Sequence, residues 1–350
     1  MMGTMAGAGV RWFRAVGRPA FFSVPPETSH RVANALLGLP LPWARIGGAT
    51  LDPSLEVELG GLALRNPIGL AAGFDKTCTH LDALGALGFG YVVGGTITRA
   101  PRVGNRSPRI ARSGRHRSMV NAMGLPNPGA ERVAATLRDR PRGPAARLVS
   151  LAAEALGDVA HTLELIEPLV DGIELNASCP NVSWGRDREN ETDLRELVDA
   201  LRSRTAKGVF VKLPPFVSST EREVVLALAG VAGDAGADGL TCSNTRLVQD
   251  SRLADGRGGL SGRAMWPHTP RIVEAVRDAT AGSLAINASG GIFSADDAMT
   301  CLDAGATTVQ IYSALVYEGP GIIGELTAGL AKRTRARRTA GTGAAGREIP

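Results

Sequence analysis

Beyond residue 50 the chain alternates between two hydrophobic periodicities. Short apolar runs of strand character lie at Pro67 to Ala71, Tyr91 to Gly94, Arg147 to Leu151, Gly172 to Leu175, Val209 to Leu213, Gly239 to Cys242, Leu284 to Ala288 and Thr308 to Ile311. Between them, Leu81/Leu84/Leu87, Leu156/Val159/Leu163/Ile166, Leu194/Leu197/Leu201 and Val224/Leu228/Val231 keep the three-and-four spacing of helices that bury one face. Thr220 with Glu223 and Ser294 with Asp297 read as capping boxes, and Leu55 to Leu64 as a hairpin. Eight strand–helix units predict an α/β fold, a (βα)8 TIM barrel, although periodicity alone also permits a doubly wound sheet.

The pattern divides the chain into an N-terminal helical extension (1–50), a barrel (51–331) and a basic, disordered tail (332–350). In the extension Val10, Trp12, Phe13 and Val16 sit among Arg11, Arg14 and Arg18, and Phe21, Phe22 and Val24 precede a helix start at Pro25-Pro26. Val32, Leu36, Leu37 and Leu39 continue at helical spacing. Residues 10–47 therefore suit either the interface of a bilayer or a helical cap on the barrel.

Charge changes little in this picture. The formal net charge is +5, and the six basic residues and one acid between Ala331 and Pro350 account for all of it. The remainder is neutral, so the composition gives no reason to expect a nucleic-acid partner. Cys78, Cys179, Cys242 and Cys301 form no Cys-x-x-Cys pair, and Cys78 with His80 lacks a third ligand, so no metal site is expected. Neither a membrane-spanning run nor a signal-peptide core is present. These features point to the cytoplasm, either soluble or peripheral to the cell membrane.

The chemistry-bearing residues follow the strand ends. They are Ala71-Ala72-Gly73-Phe74-Asp75-Lys76, Thr96, Ser150, Asn176-Ala177-Ser178-Cys179-Pro180-Asn181, Lys212, Ser243-Asn244-Thr245, Ser289-Gly290-Gly291 and Tyr312-Ser313. In a closed parallel barrel these points converge on one mouth. Gly290 and Gly291 before a helix suit a phosphate. Lys212, ending an apolar strand, needs an anion: a phosphate, a substrate carboxylate or a reduced flavin. Asn121, Asn176, Asn181 and Asn244 offer donor and acceptor together, as a ring bearing amide groups requires. Cys179, with a reference pKa of ~8.5, is a candidate general base.

The motifs Asn66 to Lys76, Asn121-Ala-Met-Gly-Leu-Pro-Asn127, Asn176-Ala-Ser-Cys-Pro-Asn181, Gly258-Gly-Leu-Ser-Gly262 and Gln310-Ile-Tyr-Ser313 occur together and in order. From about Pro19 to Leu330 the chain resembles the dihydroorotate dehydrogenase family. The resemblance implies a barrel holding FMN that oxidises dihydroorotate to orotate in pyrimidine synthesis. It assigns the FMN shell to Ala71, Ala72, Gly73, Thr96, Ser150, Asn176, Lys212, Ser243, Gly262, Gly290, Gly291, Tyr312 and Ser313. Substrate contacts fall to Lys76, Asn121, Met123, Gly124, Leu125, Asn176, Asn181, Asn244 and Thr245, with Cys179 in the base position.

Within that family the sequence resembles two classes at once. The N-terminal helices and the Gly73-Phe-Asp-Lys76 stretch are similar to the membrane-associated class that uses quinone, whereas Cys179, Ser150 and Val211-Lys-Leu-Pro-Pro215 are similar to the soluble class. Quinone is the expected electron acceptor, with fumarate or NAD as alternatives. A relative acting on another cyclic substrate and a noncatalytic flavin- or phosphate-binding barrel are the competing readings. Val182 to Glu191 reads as a loop shielding the site or an ordinary solvated one, and the seven arginines from Arg99 to Arg117 as a steering field, a lipid contact or a solvated face.

Overall fold

A computed structural model describes residues 9–152, 156–177 and 189–345. Eight parallel strands, β3 (Ile68–Leu70), β4 (Tyr91–Ile97), β7 (Ala146–Leu151), β8 (Gly172–Asn176), β9 (Gly208–Leu213), β10 (Gly239–Cys242), β13 (Ala285–Ser289) and β14 (Thr308–Ile311), close into a barrel, with β14 pairing β3. These are the eight runs expected from the sequence, and closure excludes the doubly wound alternative. Helices surround the sheet; Thr269–Ala279, with Pro270 in its first turn, buries Ile272, Val273 and Val276.

Alternation along each strand sends every second residue inward. At the N-terminal end the hairpin β1 (Val57–Leu59) and β2 (Leu62–Leu64) plugs the barrel, packing Leu59 and Leu64 with Tyr91, Leu148 and Phe210. Tyr91 crosses the interior so closely that a Cβ on Gly69 would lie 2.2 Å from its ring. At the other end two insertions meet. β5 (Ile110–Ser113) and β6 (Ser118–Asn121) join β11 (Arg246–Gln249) and β12 (Arg257–Gly262) in a four-stranded antiparallel sheet. The sequence pattern gave no sign of this sheet.

The capping box falls two residues earlier than expected. Ser218 caps Ser219–Asp234 and Glu221, not Glu223, returns the bond, because the chain is still extended at Ser218. Ser294 accepts from the Asp297 N–H as a helix N-cap, but the Asp297 carboxylate turns to Phe293 N and Arg263.

The described segments that flank the barrel on either side dock on it. Residues 9–22 are helical, with a π turn over Phe13–Gly17, and Pro26–Leu37 and Trp43–Gly47 follow. Arg14 and Arg117 both pair with the buried Glu318, the latter at 3.2 Å, and Arg109 pairs with Glu27 at 3.1 Å. Arg112 donates to the Phe21 carbonyl at 3.1 Å and lies 4.3 Å over the Phe22 ring. The extension is thus packed as a cap, while Trp12, Val16, Leu39 and Leu41 of the same segment stay exposed. No helix among the described residues is long and apolar enough to cross a membrane.

The tail departs from the expectation of disorder at 332–350. Helix Ile322–Ala345 runs through most of it, because Arg335 reaches Asp52 at 2.9 Å, Arg337 reaches Asp303 at 2.5 Å, and Arg333 pairs with Asp296.

Gly69→Ala should destabilise the barrel by about 1–3 kcal/mol, the usual cost of overpacking a filled core. The urea midpoint of the variant checks this, and Tyr91→Phe in the same background should leave the loss in place because the ring remains.

Candidate active site

At the C-terminal ends of the barrel strands lies a cavity of about 800 Å³ that continues outward beneath the N-terminal helices. The strand ends set its inner wall. Asn176 lies one alternation above Glu174 on β8, Lys212 two residues above Phe210 on β9, and Tyr312 just beyond β14. Of the residues expected to hold a cofactor, Ala71, Ala72, Gly73, Thr96, Asn176, Lys212, Ser243, Gly262, Gly290, Gly291, Tyr312 and Ser313 line the cavity. So do Lys76, Asn121, Met123, Gly124, Leu125, Asn244 and Thr245.

Ser150 does not line it. Its fully buried hydroxyl sits 2.9 Å behind Thr96 Oγ1 and supports that side chain. Cys179 and Asn181 lie outside the described residues, as do residues 182–188 of the expected shielding loop; the helix Glu189–Arg202 takes up its end.

The amides are wired together. Asn176 Nδ2 donates to Thr96 Oγ1 at 3.1 Å, Asn244 Nδ2 donates to Asn176 Oδ1 at 3.3 Å, and Asn244 Oδ1 accepts from Thr245 N at 2.8 Å. Asn121 Nδ2 donates to the Gly259 carbonyl at 3.4 Å across the four-stranded antiparallel sheet at the mouth, the lid sheet. Each amide is therefore oriented before any ligand arrives, which suits recognition of a planar ring with fixed donors and acceptors.

The glycine loop leaves backbone donors open. Gly290 and Gly291 have φ of +133° and +73°, and a Cβ on Gly291 would fall 2.6 Å from Trp266 N. Thr269 Oγ1 takes the Gly290 carbonyl at 2.8 Å and Arg263 takes that of Gly291 at 3.1 Å. No described residue accepts the N–H of Gly290, Gly291 or Ile292, which leaves three donors for an oxyanion beside the cavity. Arg263, held by Asp297 at 2.7 Å, supports the loop from behind; sequence reading missed both residues.

It missed Glu174 as well. Lys212 was expected to find its anion in a ligand, yet Glu174 Oε1 already stands 3.6 Å from its ammonium nitrogen. Two further groups shape the outer arm. Burial pushes the Lys76 ammonium down to about 8, with Asp75 opposing the shift, and burial together with the Lys76 charge pushes His30 down to about 3. His30 is thus neutral near pH 7, its ring 5.8 Å from that of Phe74. Of the seven arginines from Arg99 to Arg117, Arg99, Arg109 and Arg117 are paired with Asp158, Glu27 and Glu318. The field available to steer a ligand is correspondingly smaller than expected. Cys78 is a buried thiol packed below Gly94, and among the described residues no three His, Cys, Asp or Glu side chains gather as a metal set.

A closed eight-stranded barrel with its polar groups gathered at the C-terminal mouth has the architecture of a barrel enzyme. A family profile described as dihydroorotate dehydrogenase matches residues 54–334, and the chain belongs to that family. Proteins named dihydroorotate dehydrogenase (quinone) from Erythrobacter litoralis and Kineococcus radiotolerans are 36% and 35% identical to it. The first alignment covers 91% of this chain and 94% of the relative, the second 94% and 98%. The solved structure of DHODH from Eimeria tenella in complex with ferulenol superposes with a TM-score of 0.79 at 28% identity, over 90% of this chain and 93% of that one.

Lys76 is one of four lysines, so its titration can be resolved individually. After reductive ¹³C-methylation, its resonance should titrate near pH 8, against ~10.4 for an unperturbed lysine. A midpoint above 10 would contradict the burial of the ammonium.

Proposed function

We propose that this protein binds FMN at the barrel mouth, oxidises dihydroorotate to orotate in pyrimidine synthesis, and passes the electrons to a quinone. The observation that carries this reading is the continuity of the cavity, which runs from Lys212, Asn176, Asn244 and Gly290 at the barrel axis out to Phe22, Ala33, Leu37 and Trp43 of the N-terminal helices. A polar inner end and an apolar outer arm meet in one space, as transfer between a charged ring and a lipid-soluble acceptor requires.

The residues present fit the cofactor. The uncommitted N–H groups of Gly290, Gly291 and Ile292 suit its phosphate, and the small side chains of Ala71, Ala72 and Gly73 leave room for a flat ring. When bound, FMN supplies an acceptor for the two electrons leaving the substrate. Asn121, Asn176, Asn181 and Asn244 hold the substrate ring by its amide edges, and Lys76 draws its carboxylate. Cys179 removes a ring proton as thiolate. Lys212 places positive charge where electron density arrives.

The exposed Trp12 and Val16, close in sequence to Arg11 and Arg18, together with the exposed Leu39 and Leu41, support peripheral contact with the membrane in which the quinone resides. The quinone named in the relatives supports the same acceptor. The thiol at the base position is therefore combined with a quinone-type N-terminal cap in one chain.

Purified protein should be yellow, and its flavin band should bleach anaerobically on adding dihydroorotate; a protein that cannot be loaded with flavin refutes the assignment. Cys179→Ala should keep its flavin but lose about 10²–10⁴-fold in the rate of bleaching, the span typical of a general base. For the outer arm, Ala33→Trp should slow turnover with a short-chain ubiquinone while leaving stopped-flow bleaching by dihydroorotate unchanged. Equal loss in both half-reactions would place quinone elsewhere.

A further inference from the structure

We propose that Glu174 is the built-in counter-ion of Lys212, a positioning residue that fixes the ammonium and limits the positive charge the barrel presents to the flavin; the inference rests on the flavin reading above. Glu174 is 1% exposed and points into the barrel directly above the apolar floor of Tyr91, Leu148 and Phe210. Its two oxygens are treated differently. Oε2 accepts from Thr241 Oγ1 at 2.9 Å and from Gln310 Nε2 at 3.4 Å, whereas Oε1 has no hydrogen-bond partner and stands 3.6 Å from Lys212 Nζ.

The carboxylate is held from across the barrel. Thr241 Oγ1 accepts from Asn287 Nδ2 at 3.3 Å, Asn287 Oδ1 accepts from Thr308 Oγ1 at 2.6 Å, and the Thr308 and Tyr91 hydroxyls lie 2.8 Å apart. Strands β4, β8, β10, β13 and β14 thus contribute to one polar layer beneath the cavity. A carboxylate so deep is costly unless a cation faces it. Lys212, whose side chain is 8% exposed and lines the cavity above, is that cation. Oε1 is left free of other bonds and so keeps its charge aimed at the lysine. Half of the pair thereby faces the ligand while the other half is hidden from it.

The charge logic fixes the sign. An uncompensated ammonium beside the ring favours its electron-rich form, so removing the carboxylate charge raises the flavin midpoint potential. In Glu174→Gln holoenzyme, potentiometric titration should give a midpoint shifted positively by about 30 mV, the equivalent of a tenfold change in a two-electron equilibrium. Because a buried carboxylate with no cation facing it neutralises, the same substitution in a Lys212→Met background should change that equilibrium less than twofold. A role confined to barrel packing would move both backgrounds alike. If Glu174→Gln does not fold, Lys212→Met/Glu174→Gln, which buries no unpaired charge, should fold and bind flavin.

Three results overturn the proposal. One is an unchanged midpoint in Glu174→Gln, or equal shifts in both backgrounds. If such a variant still bleaches with dihydroorotate, the functional reading survives and only the counter-ion role fails. Another is a double variant that misfolds along with the single one. The last is a wild-type chain that takes up no flavin, which removes the functional reading together with this one.

Discussion

Eight parallel strands enclose a single narrow interior, and every second residue must find its place there against residues from the opposite wall. At the floor the solution is apolar: Tyr91, Leu148 and Phe210 meet the hairpin, with glycine at position 69 giving the tyrosine ring its space. One layer higher the residues are polar, and Thr241, Asn287, Thr308 and Glu174 are each bonded to a neighbour. Such a layer is tolerable in a core because its members bond one another and the carboxylate oxygen left without a hydrogen bond faces the Lys212 ammonium. At the mouth the same alternation delivers Asn176, Lys212 and Ser243 to the cavity. Core, polar layer and site are successive turns of one period-two pattern.

The N-terminal cap obeys a different rule. It is held largely by arginines of the barrel acting on acids and carbonyls of the extension, with aromatic contacts between them such as Phe22 on Tyr317 at 5.1 Å. The polar attachments occupy its inner face and leave large apolar side chains on the outer one. A segment so arranged roofs the cavity without closing it, and it is the reason the polar pocket has an apolar outlet.

Much of this was legible in the chain itself. The eight strands were readable because buried parallel strands are continuous apolar runs, and their polar ends located most of the site. The lid sheet was not, since its strands are short, half polar and paired between distant insertions. The helix start near 218 was ambiguous because Ser218/Glu221 and Thr220/Glu223 both satisfy the same spacing, and only the path of the incoming chain selects between them. Glu174 carried a signal that went unused: in Ile173-Glu174-Leu175-Asn176, alternation places the carboxylate on the same face as the site amide. Helix at 333–337 depends on Asp296 and Asp303 of a neighbouring helix, a proximity that no local pattern reveals.

The lid sheet joins Met119 to Ser261, 142 positions apart, and the mouth takes Asn121 from one insertion and Asn244 and Thr245 from beside the other. During synthesis the first half of the barrel therefore leaves the ribosome with no rim to complete it. The rim becomes complete only when both insertions are present, and a polypeptide ending before Arg246 would lack two of its four strands.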